Sequence, residues 1–184
     1  MQAERLAIRD VILATPPRFA DSRGWFSEAW NAERFAAVGI PGPFVQDNQS
    51  FSARRGTIRG LHCQIGANAQ GKLVRVLAGR IWDVAVDIRH GSPSYGQHVA
   101  AELSAENGAQ LWVPAGFLHG FCTLEPATQV LYKVTAPYDR AAERGVIWND
   151  PTLAVPWPLA AAEAVLSEKD AALAPLGTQA WFTP

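Results

Sequence analysis

Apolar and polar residues alternate along much of the chain, which is the pattern of β-strands with one buried face. The longest such stretch covers 72–89, where the alternation continues on both sides of Ala78-Gly79 and predicts a hairpin. Glycine and proline follow these runs at close intervals, and long helical patterns are missing. The pattern predicts an all-β sandwich or barrel. Further strands are predicted at 5–13, 43–48, 95–103, 110–114 and 128–135.

Helices are predicted to be few and short. Asn31 can cap one that runs through Val38 and ends at Gly39, and Ser167 can cap another through Leu173. The segment 151–184 is rich in proline and alanine, and we expect it to wrap around the core. The whole chain, 1–184, is therefore expected to be one domain.

Composition narrows the possible partners. A chain of 184 residues with 48% hydrophobic residues can bury one sizeable core. The net charge of −1 and the absence of a basic block argue against nucleic acid or an anionic membrane surface as partner. The first ten residues lack the apolar core of a signal peptide, so a cytoplasmic protein is expected. Cys63 and Cys122 are expected to be buried, reduced thiols.

Candidate chemistry concentrates around two histidines. In the run Ile58-Arg59-Gly60-Leu61-His62-Cys63-Gln64 an imidazole follows a cationic residue on a predicted strand. This arrangement suggests a general base beside an anion anchor. His119 lies in similar surroundings within 111–121.

The spacing of Gly108, Pro114, Gly116 and His119 resembles the second signature motif of cupins, which are double-stranded β-helix jelly rolls. Metal-dependent cupins carry a second histidine two residues after the first, followed by a glutamate. Here Gln64 takes the place of that histidine, and 65–73 contains no carboxylate. Because glutamine is a poor ligand for transition metals, no metal is expected. Such a jelly roll would work with side chains alone.

A series of short motifs extends over the whole chain in a fixed order. It comprises Asp21-Ser22-Arg23-Gly24 through Phe26 and Glu28, Phe44-Val45-Gln46-Asp47-Asn48, Ile58 to His62, Gln70 to Val76, Asp83 to Arg89, Ser92-Pro93, Tyr95-Gly96, Trp112 to Phe121, Tyr132-Lys133, Tyr138, Glu143, Trp148-Asn149-Asp150 and Leu166 to Asp170. In this series the chain resembles dTDP-4-dehydrorhamnose 3,5-epimerases. Each motif is weak alone, but together they are highly specific.

The resemblance implies inversion of C3 and C5 in a 4-keto-6-deoxyhexose attached to dTDP. Both carbons adjoin the C4 ketone, so loss of either proton gives an enolate and no redox cofactor is required. By resemblance His62 is the base, Asp170 its carboxylate partner and Tyr132 the proton donor on the opposite face. Lys72 would polarise the C4 oxygen. Asp83 competes with Asp170 as the partner of His62.

The resemblance also implies a set of substrate contacts. Arg23 and Arg59 suit the pyrophosphate, because guanidinium holds phosphate oxygens with paired hydrogen bonds. Tyr138 would stack on the thymine ring. Family members form homodimers whose active sites borrow the neighbour's N-terminal segment. The other implied contacts are Glu28, Gln46, Asn48, His119, Glu143 and Lys169.

Other interpretations fit parts of the sequence. An enzyme with the same residues could invert one centre only, and a jelly roll could bind a nucleotide sugar without catalysis. A metal dioxygenase comes third. Taken singly, His62 could be a structural histidine, Lys72 a solvated surface residue and Tyr132 a packing residue. Cys63 replaces an aromatic residue usual in the family, and Arg54-Arg55 belong to a stretch one residue longer than in some members.

Overall fold

In the computed structural model, residues 1–178 are described, and they form thirteen β-strands and two short α-helices. The strands are β1 Gln2–Arg5, β2 Ile12–Thr15, β3 Phe19–Asp21, β4 Gly24–Phe26, β5 Gln46–Ser52, β6 Ile58–Gln64, β7 Lys72–Ala78, β8 Arg80–Asp87, β9 His98–Ser104, β10 Gln110–Val113, β11 Phe117–Thr123, β12 Thr128–Val134 and β13 Glu143–Gly145. The helices are α1 Ala32–Ala36 and α2 Glu168–Ala171. Residues 179–184, part of the predicted wrapping tail, lie outside the described region.

The strands form two large sheets. One has the order β1-β2-β10-β7-β12-β5 and the other the order β13-β6-β11-β8-β9, while β3 and β4 form a separate hairpin. All the registered pairs are antiparallel. This is a cupin-like jelly roll, so the predicted fold class is confirmed.

The main core lies between the two sheets, because every second side chain of each strand points inward. Val74, Leu111 and Val130 come from the six-stranded sheet, and Ile81 and Leu103 from the five-stranded one. All five are buried. The alternation visible in the sequence therefore reports this apolar layer.

The hairpin predicted over 72–89 is wrong, although both of its strands exist. β7 pairs with β10 and β12, whereas β8 pairs with β11 and β9 in the opposite sheet. Gly79, at φ +78°, turns the chain from one sheet into the other. Alternation fixes which face of a strand is buried but does not fix its neighbour, so it could not separate these topologies.

Other boundaries also differ. The strand predicted at 5–13 is wrong in its middle, because 6–11 form the connection between β1 and β2. There Leu6 N donates to Val11 O (3.0 Å), and buried Ile8 and Val11 fill the core from a turn. Strand β5 begins at Gln46 and β9 at His98, each three residues later than predicted. The strands predicted at 110–114 and 128–135 are confirmed.

Both predicted helix caps are present. Asn31 Oδ1 accepts from Arg34 N (3.0 Å), and Ser167 Oγ accepts from Asp170 N (3.1 Å). Both helices are shorter than predicted, since α1 ends at Ala36 and not at Val38, and α2 ends at Ala171 and not at Leu173. The described part of the tail does wrap the molecule. Leu153 and Leu176 pack with a buried cluster on the five-stranded sheet.

Cys63 and Cys122 are free and buried, as predicted. Burial raises the pKa of each thiol to about 11, so both are protonated at neutral pH. None of the helices within residues 1–178 has the length and apolarity to cross a bilayer.

Candidate active site

A cavity of about 160 Å³ opens between the two sheets. Strands β5 and β12 supply one wall, and β6 and β11 supply the other. The inward faces of these strands carry polar side chains at this end of the barrel, where the apolar core stops. The lining residues are Ser50, Arg59, His62, His119, Phe121 and Tyr132.

A larger hollow, of about 610 Å³, lies between the loops 7–10 and 89–94. Two of its charged groups, Arg89 and Asp10, already bond each other. Arg89 bonds both Asp87 (2.7 Å) and Asp10 (2.9 Å), and Ser92 and Ser94 donate to Asp87. The smaller cavity, which holds acid and base groups facing open space, is therefore the candidate active site.

His62 and Asp170 form a bonded pair at this cavity. His62 Nε2 lies 2.7 Å from Asp170 Oδ1. Burial acts to raise the pKa of Asp170, but hydrogen bonds from His62, Ser167 and the Gly60 backbone outweigh it, and the net pKa is lowered. An ionised carboxylate accepts from Nε2–H, which leaves Nδ1 with a lone pair for a proton. Gly145 makes room for the ring, because a Cβ there would lie 3.0 Å from His62 Cδ2.

His119 forms a second pair with Asp83, at 2.7 Å between Nε2 and Oδ1. Strands β11 and β6 place His119 directly opposite His62 in register. The competition between two aspartates for His62 is thereby decided, since Asp170 bonds His62 and Asp83 bonds His119. His119 also lines the cavity.

Lys72 and Tyr132 come from the opposite sheet, on β7 and β12. Lys72 is not the solvated lysine of the alternative interpretation, because burial lowers the pKa of its ammonium, and its Nζ donates to His62 O at 3.5 Å. Burial raises the pKa of Tyr132, so its phenol keeps its proton. The two strands therefore bring a proton donor to the cavity wall and a cation to the backbone of His62.

Tyr138, Glu143 and Lys169 form a chain of hydrogen bonds. Tyr138 Oη donates to Glu143 Oε2 (2.9 Å), and Lys169 Nζ donates to Glu143 Oε1 (2.6 Å). Burial acts to raise the pKa of Glu143, but the bonds from Lys169 and Tyr138 prevail and lower it. The Tyr138 ring itself is exposed, as an aromatic surface for stacking must be.

Two further predicted contacts lie on the inward face of β5. Gln46 Nε2 donates to Asn48 Oδ1 (2.7 Å), and Asn48 is the register partner of Tyr132. Arg59 reaches the same strand, where Nη2 donates to Phe51 O (2.9 Å) and Nε to Ser52 Oγ (3.3 Å). These bonds hold the guanidinium at the cavity wall.

Arg23 and Glu28 are not brought to the cavity of their own chain. Arg23 pairs with Asp21 (2.5 Å) on the β3–β4 hairpin, and Glu28 pairs with Arg34 (3.3 Å). The hairpin also exposes three large side chains, each more than half accessible: Phe19 at 59%, Trp25 at 54% and Phe26 at 70%. Apolar exposure on this scale marks an interaction surface.

Sequence reasoning missed two lining residues, Ser50 and Phe121. Ser50 Oγ is buried and has no hydrogen-bond partner within residues 1–178. Every second residue of β5 lies on one face, which carries Gln46, Asn48, Ser50 and Ser52. The two predicted contacts, Gln46 and Asn48, therefore pointed to Ser50 as the next residue on that face. Phe121 had no comparable signal.

Within residues 1–178 no three His, Cys, Asp or Glu side chains converge as metal ligands. Gln64, which takes the place of a metal-binding histidine in other cupins, bonds backbone atoms instead. The absence of a metal from the reaction stays a prediction.

Paired histidine and aspartate, a half-buried lysine and a protonated phenol inside a jelly roll define an acid–base enzyme of the cupin-like class. The chain belongs to the dTDP-4-dehydrorhamnose 3,5-epimerase family, whose model matches residues 5–177. It is accordingly an isomerase of the epimerase type.

Individual relatives agree with this membership. The chain is 54% identical to dTDP-4-dehydrorhamnose 3,5-epimerase of Pseudomonas aeruginosa, over 92% of this chain and 93% of that protein. The crystal structure of the dTDP-6-deoxy-D-glucose-3,5-epimerase of Legionella pneumophila with dTDP-4-keto-L-rhamnose is similar, with a TM-score of 0.92 and 43% identity over 100% and 97% of the two chains. A more distant relative is dTDP-4-dehydrorhamnose 3-epimerase of Streptomyces niveus, 37% identical over 86% and 76%.

Proposed function

We propose that the protein converts dTDP-4-dehydro-6-deoxy-D-glucose to dTDP-4-dehydro-L-rhamnose by inverting C3 and C5, in dTDP-L-rhamnose biosynthesis. The observation that carries this proposal is the His62–Asp170 pair facing Tyr132 across one cavity. A base on one sheet and an acid on the other is the arrangement that inversion requires, because the proton leaves one face of a carbon and returns to the other.

In the proposed mechanism His62 Nδ1 takes the proton from C5 or C3, and the C–H electron pair moves into the enolate of the C4 ketone. Asp170 stabilises the resulting imidazolium through the 2.7 Å bond. The Lys72 ammonium stabilises the enolate oxygen. Tyr132 then delivers its phenolic proton to the opposite face, and solvent restores both side chains before the second centre reacts.

The shifts in pKa suit these roles. Burial raises the pKa of Tyr132, so the phenol remains an acid at neutral pH. Burial lowers the pKa of Lys72, and a poorly hydrated ammonium interacts more strongly with a developing anion. The reaction is redox-neutral, so it needs no nicotinamide or flavin.

The nucleotide would lie toward Tyr138, which offers an exposed ring for the thymine. Arg59 would bind the pyrophosphate, and Gln46, Asn48, His119, Glu143 and Lys169 the remaining polar groups. Support for a dTDP-linked sugar comes from the similar Legionella pneumophila enzyme, whose structure holds dTDP-4-keto-L-rhamnose.

The proposal includes a homodimer that acts in the cytoplasm. The exposed β3–β4 hairpin would deliver Arg23 and Glu28 to the neighbour's cavity, since neither lines the cavity of its own chain. Burial of Phe19, Trp25 and Phe26 against a second copy would remove their apolar surface from water. The two free cysteines fit a reducing compartment.

The proposal is tested by solvent exchange. Incubation of dTDP-4-dehydro-6-deoxy-D-glucose with the protein in D₂O, followed by NMR, is expected to show deuterium at both C3 and C5. His62→Ala is the matched control and should incorporate none while still binding dTDP. Label at neither centre with the wild-type protein would overturn catalysis and favour a nucleotide-sugar-binding jelly roll.

A second candidate is inversion of one centre only. The observation in its favour is the 37% identity to dTDP-4-dehydrorhamnose 3-epimerase of Streptomyces niveus. Label confined to one carbon in the same D₂O experiment would establish this candidate in place of the first.

A further inference from the structure

Gln64 lies on β6 two residues after His62, and its side chain is buried. The hydrogen bonds of its side chain join it to backbone atoms. Nε2 donates to Asn68 O (2.7 Å) and Pro137 O (3.1 Å), and Oε1 accepts from Asp139 N (2.8 Å). Two of these three bonds end on the residues that flank Tyr138.

Two other glutamines hold the same segment, 136–139. Gln46 Oε1 accepts from Tyr138 N (3.0 Å), and Gln70 Nε2 donates to Ala136 O (2.7 Å). This segment follows β12 and precedes β13, so it belongs to neither sheet. Glutamine amides here supply the backbone bonds that a neighbouring strand would supply in a sheet.

The Tyr138 ring depends on this support because it is exposed and has little packing of its own. Its hydroxyl is fixed by Glu143 (2.9 Å), and its backbone is fixed by the glutamines. A ring held in place before the ligand arrives loses less conformational freedom when a base stacks on it. Gln64, as the buried member with bonds on both sides of Tyr138, is the central support.

We propose that Gln64 is a positioning residue that presents the Tyr138 ring to the nucleobase and thereby sets nucleotide affinity, without a part in proton transfer. The inference rests on the proposed function, since it assigns the nucleotide to Tyr138. It also gives Gln64 a purpose in a position where other cupins bind metal.

The test is the affinity for dTDP alone, measured by isothermal titration calorimetry. Gln64→Met fills the space without hydrogen bonds and is expected to weaken dTDP binding about tenfold. Gln64→Glu keeps the acceptor for Asp139 N, loses both donors and should also weaken it. KM should rise by a similar factor while kcat stays within about twofold. Gln97→Ala, which removes a glutamine bond to the Pro93 carbonyl in another loop, is the matched control and should change neither.

A double-mutant cycle with Tyr138→Ala separates positioning from general damage. Once the ring is gone, Gln64→Met should weaken dTDP binding no further. Equal losses with and without the ring, or an unchanged affinity in a folded Gln64→Met protein, would overturn the inference. If Gln64→Met fails to fold, Gln70→Ala tests the same support from the other side.

These outcomes are distinct from failure of the proposed function. A wild-type protein that exchanges deuterium at C3 and C5, with dTDP affinity indifferent to Gln64, leaves the epimerase proposal intact and removes the inference. A wild-type protein that does not bind dTDP removes both.

Discussion

The two histidine–aspartate pairs are alike in distance but differ in surroundings. Each has 2.7 Å between Nε2 and a carboxylate oxygen, and the two imidazoles are register partners on neighbouring strands. His62 is 25% exposed and its carboxylate comes from α2, whereas His119 is 7% exposed and its carboxylate comes from the adjacent strand β8. The comparison teaches that bond geometry alone does not identify a base. Access to substrate does, and the His62 side chain is the more exposed of the two.

The largest effect should come from the imidazole of the accessible pair. His62→Ala removes the proposed base and is expected to lower kcat about a thousandfold, within the usual range for a general base. The coupled assay for dTDP-4-dehydro-L-rhamnose formation measures it. A His119→Ala protein with an equal loss of kcat would break the comparison, because the buried histidine would then share the chemistry.

The next effect concerns the carboxylate on α2. Asp170→Asn can donate to His62 as well as accept from it, so it no longer fixes the tautomer with Nδ1 free, and it stabilises the imidazolium less; kcat should fall about a hundredfold with KM little changed. Steady-state kinetics on a protein with unchanged circular dichroism measure it. Retention of more than half of the wild-type kcat would show that Asp170 does not assist the base.

Substitution in the buried pair should lower the stability of the fold and not the turnover. Asp83→Ala leaves His119 buried without its partner, which costs about 1–3 kcal/mol of unfolding free energy. Asp170→Ala should cost less, because water can reach the partly exposed His62. Urea unfolding of both variants provides the comparison, and a greater loss for Asp170→Ala would reverse the interpretation of the two pairs.

The smallest effect is a dependence of stability on pH. The folded pKa of Asp170 is lowered below its unfolded value, so its ionised form stabilises the fold above the unfolded pKa. That contribution is lost as pH falls through the folded pKa. Thermal melts of Asp170→Asn should therefore decline less steeply than wild type in the acid range. Parallel curves would indicate that Asp170 titrates alike in both states.

The sequence predicted much of this molecule because the relevant signals lie within short segments or in the order of the motifs along the chain. Alternation located β10 and β12, and side-chain oxygens of Asn31 and Ser167 marked both helix starts. The pairing of β7 and β8 was mispredicted because strand alternation carries no information about the neighbouring strand.

For the candidate site, the ordered motif series named residues that the fold then brought together, including His62, Asp170 and Tyr132. It could not tell which aspartate bonds which histidine, since Asp83 and Asp170 are both acidic and both distant in sequence from His62. Only the register of β11 with β6 and the docking of α2 decide that. Nor could it reveal that Gln64 supports Tyr138, because their bonds cross 73 to 75 residues of chain.

Helix α2 carries both Asp170 and Lys169, and it follows every strand that the structure describes. The carboxylate partner of the proposed base, His62, thus comes from a segment that belongs to neither sheet. Undocking of α2 would remove the carboxylate partner of His62 without breaking a strand pair of either sheet. An inactive preparation with intact β-sheet signals would accordingly point to an undocked α2, and activity is the more sensitive reporter of this segment.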